Sequence, residues 1–426
     1  MNKSERYLLS VQKALFQIFV FLIPTQLGYH FWFPFSYMFG IRVDYFAPTI
    51  YLTDVLLVVI FGLFLWQIIK EKKKPNRKLV TVFILLFSFA AINLIYSTAY
   101  PIALYKWIKI IELFLLGTYV IFQKKIRYSD WILWPLLCSA VFFASIGLGQ
   151  FILQHSIGGP LYYLGERTFS SLTPGIALGD FFGRYLLRAY STFSHPNSFA
   201  GFLGTSAIIT YFYLPKNKKG KRLRYFALVL IGFALVATLS RWVWAATLLC
   251  FTAYFVEKRR NGLFKKNSHF FIVSAVSASL LFLIVSNFLL EKRVSFSESF
   301  GERLIWADRA GELITKNPLV GVGLNNYIFN LPKNNWQPVV WKLQPVHNIF
   351  LLTLTETGLV GLGFVSILLM IALKKAPGQA NERRAIFWVL VFIVVTGTAD
   401  HYWLTLQQNQ LLMTLLLGVS LKKTGN

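Results

Sequence analysis

The sequence predicts an all-α polytopic membrane protein: a bundle of about 12 transmembrane helices and a large extracytoplasmic loop that carries an amphipathic helix. Three observations lead to this prediction. The 426-residue chain is 56% hydrophobic, with a mean hydropathy of +0.55, whereas soluble domains are about 45–50% apolar. Apolar runs of roughly 18 or more residues recur along the chain and contain few charges. These runs are too long for the strands of a membrane barrel, so helices must satisfy the backbone in the bilayer.

The whole chain, 1–426, is expected to form a single transmembrane domain. Loops rich in Lys and Arg alternate with loops poor in them, and basic loops stay in the cytoplasm. Both termini are therefore predicted to be cytoplasmic, in the cytoplasmic (inner) membrane. Two extracytoplasmic loops are long: the first long outer loop, 155–196, and the large outer loop, 291–346. The predicted spans are 12–29, 51–69, 79–97, 102–122, 131–154, 197–214, 224–239, 241–257, 268–290, 347–373, 385–400 and 403–421.

The composition also argues against several classes of function. A net charge of +26 could indicate nucleic acid, but the basic residues lie in short loops between spans, where they act as topology signals. Cys138 and Cys250 fall inside apolar runs, which favours small buried hydrophobic side chains over a disulfide. The chain has no phosphate-binding loop motif, no zinc-spaced Cys/His cluster and no Asp-x-Asp pair. We therefore predict no cofactor and no metal.

The large outer loop contains an amphipathic stretch at 301–318. Trp306, Ala310, Leu313 and Ile314 share one face, and Asn317-Pro318 ends the pattern. We expect this helix to lie on the outer membrane surface.

Arginines and histidines gather at the predicted outer boundary of the spans. Guanidinium groups bind phosphate or pyrophosphate oxygens bidentately and stay charged, while histidine can exchange a proton near neutral pH. The residues with this placement are Arg188, His195, Asn197, Arg241 after Ser240, Arg303, His347, Asn348, and His401 after Asp400.

Each of these residues also has a plainer interpretation. Arg241 could be an interfacial anchor, and Arg303 a solvated charge on an amphipathic helix. His347 and His195 could each simply open a helix, and Asp400-His401 could be an interfacial turn. Arg167 and Arg184 are expected to be ordinary loop charges.

The fourth span carries three ionisable residues on one face, namely Lys106, Lys109 and Glu112. Such groups are costly in a membrane and point into the bundle. Lys109 and Glu112 could form a structural pair, and Lys106, near the outer end, could join the anion site.

Four segments resemble the O-antigen ligase and O-antigen polymerase family: RAYSTFSHPNSFAGFL (188–203), ATLSRWVWAA (237–246), GERLIWADRAGELITKNPLVGVGLNNY (301–327) and PVHNIFLLTLTETGLVGLG (345–363). The resemblance covers about 185–420. It implies an enzyme that moves a glycan from a polyprenyl-pyrophosphate carrier of the undecaprenyl type to a lipid, protein or growing glycan acceptor. The reaction would take place at the outer face, without nucleotide or metal.

The resemblance also assigns roles. His347 matches the family's loop-end histidine, Arg241 its arginine at an outer turn, and Arg303 the arginine opening the helix of the large loop; these three are the expected catalytic residues. The expected substrate-binding residues are Arg188, His195, Asn197, Asn348, Lys106 and His401. Ligase and polymerase differ only in the acceptor, which the sequence does not identify.

A transporter or flippase for an anion or glycolipid is the alternative. Transporters tend to place ionisable groups near the midplane, in two related halves, whereas here the candidate site residues cluster at one face of the membrane and no halves are visible.

Overall fold

A computed structural model describes residues 3–72, 76–181, 183–212, 217–260, 293–332, 343–376 and 381–422. The described chain is mainly helical, as predicted. Its helices are α1 (Lys3–Leu22), α2 (Leu52–Lys70), α3 (Arg77–Ile95), α4 (Tyr100–Phe122), α5 (Trp134–Leu153), α6 (Pro196–Phe212), α7 (Lys218–Ala237), α8 (Arg241–Arg260), α9 (Arg293–Lys316), α10 (Ile349–Lys375), α11 (Asn381–Gly397), α12 (Tyr402–Thr405) and α13 (Gln407–Leu421). A π-helical turn, Tyr128–Leu133, leads into α5.

Short antiparallel strands occur in two of the predicted outer loops. Between α1 and α2, β1 (Gly28–His30) pairs with β4 (Thr49–Tyr51), and β2 (Tyr37–Met38) pairs with β3 (Ile41–Arg42). In the first long outer loop, β5 (Leu178–Phe181) pairs with β6 (Arg184–Leu187). These loops are therefore ordered parts of the fold.

Four of the described helices are long and apolar enough to cross a membrane: Leu52–Lys70, Arg77–Ile95, Tyr128–Leu153 and Ile349–Lys375. The protein is thus an integral membrane protein. Other predicted spans overlap described helices that are shorter or less apolar; the first, 12–29, begins inside α1 and runs past its end at Leu22 into β1. The span predicted at 268–290 lies outside the described residues. The total of about 12 spans stays a prediction.

The loops predicted to be extracytoplasmic lie together at one end of the bundle. The Thr25 hydroxyl donates to the Leu164 carbonyl at 2.6 Å, which joins the loops after α1 and α5. The Asn348 amide donates to the Thr398 carbonyl at 3.0 Å, which joins the loops before α10 and after α11. These loops also share an apolar core that includes Phe46, Trp306, Tyr327 and Val346.

Residues from the predicted cytoplasmic side lie together elsewhere. The Gln123 amide donates to Gln12 at 2.8 Å and to Gln67 at 3.0 Å, and Lys422 donates to the Gln123 carbonyl. Which end faces the cytoplasm is a prediction of the charge pattern.

Helix α10 is broken at Gly358, whose φ of 65° is in the left-handed region that favours glycine. The backbone of the large outer loop enters this break: Leu359 N donates to Pro318 O at 2.8 Å, and Val322 N donates to Thr355 O at 2.9 Å. A Cβ on Gly358 would lie 2.2 Å from the Leu319 carbonyl. The close approach fixes the end of α9 against α10, and both helices carry site residues.

A membrane charge cluster of Asp54, Lys109 and Glu112 is buried between α2 and α4. Lys109 forms an ion pair with Asp54 and a second with Glu112 at 3.3 Å, and Gln407 donates to Asp54 at 2.7 Å. The Lys109–Glu112 pair is confirmed. The sequence analysis did not anticipate Asp54, which also accepts from the N-cap amide of α2, Tyr51 N, at 2.9 Å.

The two cysteines are free thiols, and the prediction of their burial was wrong for one of them. Cys250 is buried, whereas Cys138 is exposed on the bundle surface. An apolar run in a membrane helix has a lipid-facing side as well as a buried side, and the sequence alone did not separate the two for Cys138.

Candidate active site

His347 lies at the outer end of the bundle, two residues before α10 begins. Asn348 is the N-cap of that helix, because its side-chain oxygen accepts from Phe350 N at 2.9 Å and Leu351 N at 3.0 Å. The His347 ring stacks on Trp306 of α9 at a centroid distance of 5.1 Å. Its side chain is only 12% exposed. The ring is thus held by packing on one face.

Asp400 faces the same imidazole. One carboxylate oxygen lies 3.6 Å from His347 Nδ1 and accepts from the His401 backbone N–H at 2.8 Å; the other accepts from the Asn197 amide at 2.8 Å. Burial by itself raises the pKa of Asp400, but the interaction with His347 and the neighbouring histidines lowers that pKa well below its usual value. Asp400 is therefore a buried carboxylate with donors on both oxygens.

Arg188 reaches this carboxylate through Asn197. Its Nη2 donates to Asn197 Oδ1 at 2.5 Å and its Nε to the Thr238 carbonyl at 2.6 Å. The Ser240 hydroxyl also donates to Asn197 Oδ1, at 3.0 Å. Four separate parts of the chain are thus linked from Arg188 through Asn197 and Asp400 to His347, an arrangement we call the outer site.

The charges of the two predicted catalytic arginines, Arg241 and Arg303, act on the outer site. Burial lowers the pKa of Arg188 to about 10, and the positive charges of Arg241 and Arg303 contribute to this shift. Arg241 is the first residue of α8, directly after Ser240, and Arg303 lies one turn before Trp306 on α9. Arg188 remains charged at neutral pH.

His401 is buried between Tyr45 and His347. Its Nδ1 lies 2.8 Å from the Thr405 hydroxyl, and its ring packs against Tyr45 at 6.0 Å and His347 at 4.9 Å. Burial lowers the pKa of His401 to about 3, and the neighbouring His347 and the positive charge of Arg303 contribute to this shift. His401 is therefore neutral and supports the His347 ring.

Three further residues that were predicted to bind substrate have different surroundings: Asn348, Lys106 and His195. Asn348 uses its side-chain oxygen as a helix cap, so that oxygen is committed to the fold. Lys106 donates to Gln410 at 3.4 Å, and within the described residues it makes no recorded contact with the site arginines. His195 is exposed, next to Asn197, at the rim of the outer site.

The nearest approach to a metal site among the described residues is His347, Asp400 and His401, whose ligand atoms lie within 4.8 Å of one another. The surroundings do not favour a divalent cation. Asp400 already accepts two hydrogen bonds, and the positive charge of Arg303 acts on His401. The excess of arginine charge suits an anion better.

Sequence reasoning did not assign Asp400 or Trp306 a role at the site. Asp400 was noted only as the neighbour of His401, and Trp306 only as an apolar position on a helix face. Asp400 could have been singled out because it is a carboxylate directly before a histidine at the outer boundary. The contact between Trp306 and His347 joins residues 41 positions apart, so no pattern in the neighbouring sequence indicates it.

Comparison with known proteins supports the family resemblance. Residues 226–366 match the family model described as O-antigen ligase. This range contains Arg241, Arg303 and His347 and is shorter than the region of about 185–420 that the resemblance covers. A search of curated proteins gave no match. The chain therefore carries an O-antigen ligase domain at residues 226–366, which confirms the resemblance and relates it to the O-antigen ligase family.

Proposed function

We propose that the protein transfers a glycan from a polyprenyl-pyrophosphate carrier to an acceptor hydroxyl at the outer face of the cytoplasmic membrane. The observation that carries this proposal is the chain of contacts from Arg188 through Asn197 and Asp400 to His347. It puts a cationic group for a leaving pyrophosphate and an imidazole for a proton into one connected site. The O-antigen ligase domain supports the same reaction class.

The arginines bind the leaving group in this scheme. Arg188, Arg241 and Arg303 hold the donor pyrophosphate and stabilise the negative charge that grows on it as the glycosidic C–O bond breaks. Bidentate guanidinium contacts suit pyrophosphate oxygens. The sugar–pyrophosphate bond already holds the required free energy, so the reaction needs no nucleotide.

His347 serves as the general base in this scheme. In the structure Nε2 faces the Gln344 amide oxygen at 3.2 Å, a contact in which Nε2 donates, and Nδ1 lies 3.6 Å from Asp400, beyond hydrogen-bond distance. In the reacting tautomer the ring proton is on Nδ1, on the side of Asp400, and the Nε2 lone pair is the basic position. The acceptor hydroxyl takes the place of Gln344, gives its proton to Nε2, and its oxygen attacks the anomeric carbon from the side opposite the pyrophosphate. Asp400 stabilises the imidazolium that forms.

The direct test is transfer by the purified full-length protein given a polyprenyl-pyrophosphate glycan and a panel of acceptors. His347→Ala should lower the transfer rate by about 10²–10⁴-fold, the usual contribution of a general base. His155→Ala is the matched control, because His155 lies in the first long outer loop, is exposed, and contacts the Ser156 carbonyl through its ring. Full transfer by His347→Ala, with normal thermal unfolding, would rule out the proposed role of this histidine.

A further inference from the structure

Arg167 occupies a defined position at the rim of the outer site. Its Nη2 donates to the Ser194 carbonyl at 2.8 Å, and its guanidinium carbon lies 5.6 Å from the centroid of the Tyr190 ring. Ser194 immediately precedes His195. The sequence suggested an ordinary loop charge here, but the side chain is held at two points while its residue remains exposed.

The platform under Arg167 is rigid. Tyr190 is buried, its hydroxyl accepts from Ala177 N at 2.6 Å, and its ring packs against Phe169 at a centroid distance of 5.1 Å. Holding an arginine over a fixed ring reduces the entropy lost when the arginine binds a ligand.

The neighbouring carboxylate does not neutralise this arginine. Glu166 is buried and turned inward, where Oε1 accepts from the Gln150 amide at 2.7 Å and from Ile157 N at 2.8 Å, and Oε2 accepts from Gly158 N at 2.7 Å. Within the described part of the chain, Arg167 forms no ion pair with a carboxylate, and Asp44, from the loop between α1 and α2, acts on it only as a nearby charge. Its charge is therefore available to a ligand.

His195 adds a second donor beside it. Its Nδ1 accepts from the backbone N–H of Asn197 at 3.2 Å, so the neutral ring carries its proton on Nε2. The residue is exposed, and this N–H has no acceptor among the described residues. Arg167 and His195 thus present hydrogen-bond donors, and no acceptors, to the same rim.

We propose that Arg167 and His195 form a second anion subsite, which binds a carboxylate or phosphate group carried by the glycan of the acceptor or of the donor. This subsite rests on the proposed glycan transfer and deepens it. It is distinct from the arginines assigned to the pyrophosphate, because Arg167 belongs to the first long outer loop and its hydrogen bond goes to Ser194, although the charges of Arg167 and Arg188 both act on Tyr190. The enzyme would therefore favour acidic glycans over neutral ones.

The test uses matched glycan probes and the full-length protein in nanodiscs. One arm compares acceptor oligosaccharides that differ only by glucuronic acid, phosphorylated glucose or glucose at one residue. The other arm makes the same change in the glycan of a polyprenyl-pyrophosphate donor. Equilibrium binding is measured, so the result does not depend on transfer; transfer of the neutral glycan is followed separately and tests the proposed function.

In one of the two arms, the wild-type protein should bind the acidic probe about tenfold more tightly than the neutral probe, the effect of one charge-assisted contact. Arg167→Gln should remove this preference and leave binding of the neutral probe unchanged. Arg184→Gln, which removes an exposed arginine from the β5–β6 hairpin of the same loop, should keep it. Equal binding of acidic and neutral probes in both arms would overturn the subsite, as would a preference that survives Arg167→Gln or an equal loss of both probes in that variant.

Discussion

The membrane charge cluster and the outer site both contain charged residues from different helices and loops. They differ in the groups that their basic side chains contact. In the membrane charge cluster, Lys109 lies between the carboxylates of Asp54 and Glu112. In the outer site, Arg188 gives its hydrogen bonds to neutral acceptors, the Thr238 carbonyl and the Asn197 amide.

This difference separates a structural cluster from a binding site. Buried opposite charges in direct contact compensate each other, and removing one partner leaves the other uncompensated. A half-buried arginine that donates hydrogen bonds only to neutral groups retains its charge, and that charge can attract an anionic ligand. Stability should therefore depend on the first cluster, and ligand affinity on the second.

The largest expected effect on stability is in the membrane charge cluster. Asp54→Ala leaves Lys109 buried with a single carboxylate and should lower the free energy of unfolding by about 3–5 kcal/mol. Unfolding of the full-length protein in micelles, by heat or by denaturing detergent, measures this effect. Glycan transfer per folded molecule should stay close to that of the wild-type protein. A stable variant with impaired transfer would reverse the assignment of the two clusters.

A smaller effect, on activity, is expected at Asp400. Asp400→Asn removes the charge that stabilises the His347 imidazolium and should lower kcat by about 10- to 100-fold, with little change in KM for the donor. The pH–rate profile should also change, because the carboxylate no longer acts on His347, and Asp400→Glu should recover part of kcat. If Asp400→Asn raised only the KM for the donor and left the pH–rate profile unchanged, Asp400 would act in substrate binding and would not assist the base.

The smallest effect is a pH dependence of stability that comes from His401. Its pKa is about 3 in the folded protein, against a usual 6.5, so between these pH values the unfolded chain binds a proton that the folded protein does not. Stability should therefore fall as pH drops from about 6.5 toward 3, with a slope of up to about 1.4 kcal/mol per pH unit from this residue. His401→Gln should reduce that slope in unfolding measured across the range, and an unchanged slope would contradict the burial of a neutral ring.

The sequence predicted features that local patterns encode. Long apolar runs predicted the four helices suited to a membrane, and the spacing of Lys109 and Glu112 predicted their ion pair. Amphipathic spacing predicted that Trp306, Ala310 and Leu313 share a face, and all three are buried. The placement of polar and charged residues at span boundaries indicated Arg188, Asn197 and His347, which the structure links through hydrogen bonds and close contacts.

What the sequence did not predict depends on contacts between distant segments. Asp54 meets Lys109 across 55 residues, and Asp400 meets Asn197 across 203. The Asn348 cap could have been foreseen, because asparagine directly before an apolar helix is a preferred N-cap. The fixed position of Arg167 depends on Ser194 and Tyr190 and has no signature along the chain.

Binding of polyprenyl pyrophosphate without a glycan, by the full-length protein in nanodiscs, tests the central claim most directly. Arg188→Gln should weaken this binding by about tenfold to a hundredfold, the range for one charged hydrogen-bonding group, while Arg184→Gln should bind as the wild-type protein does. Equal affinity of all three proteins, with Arg188→Gln still folded, would contradict the account of the outer site as a pyrophosphate-binding site.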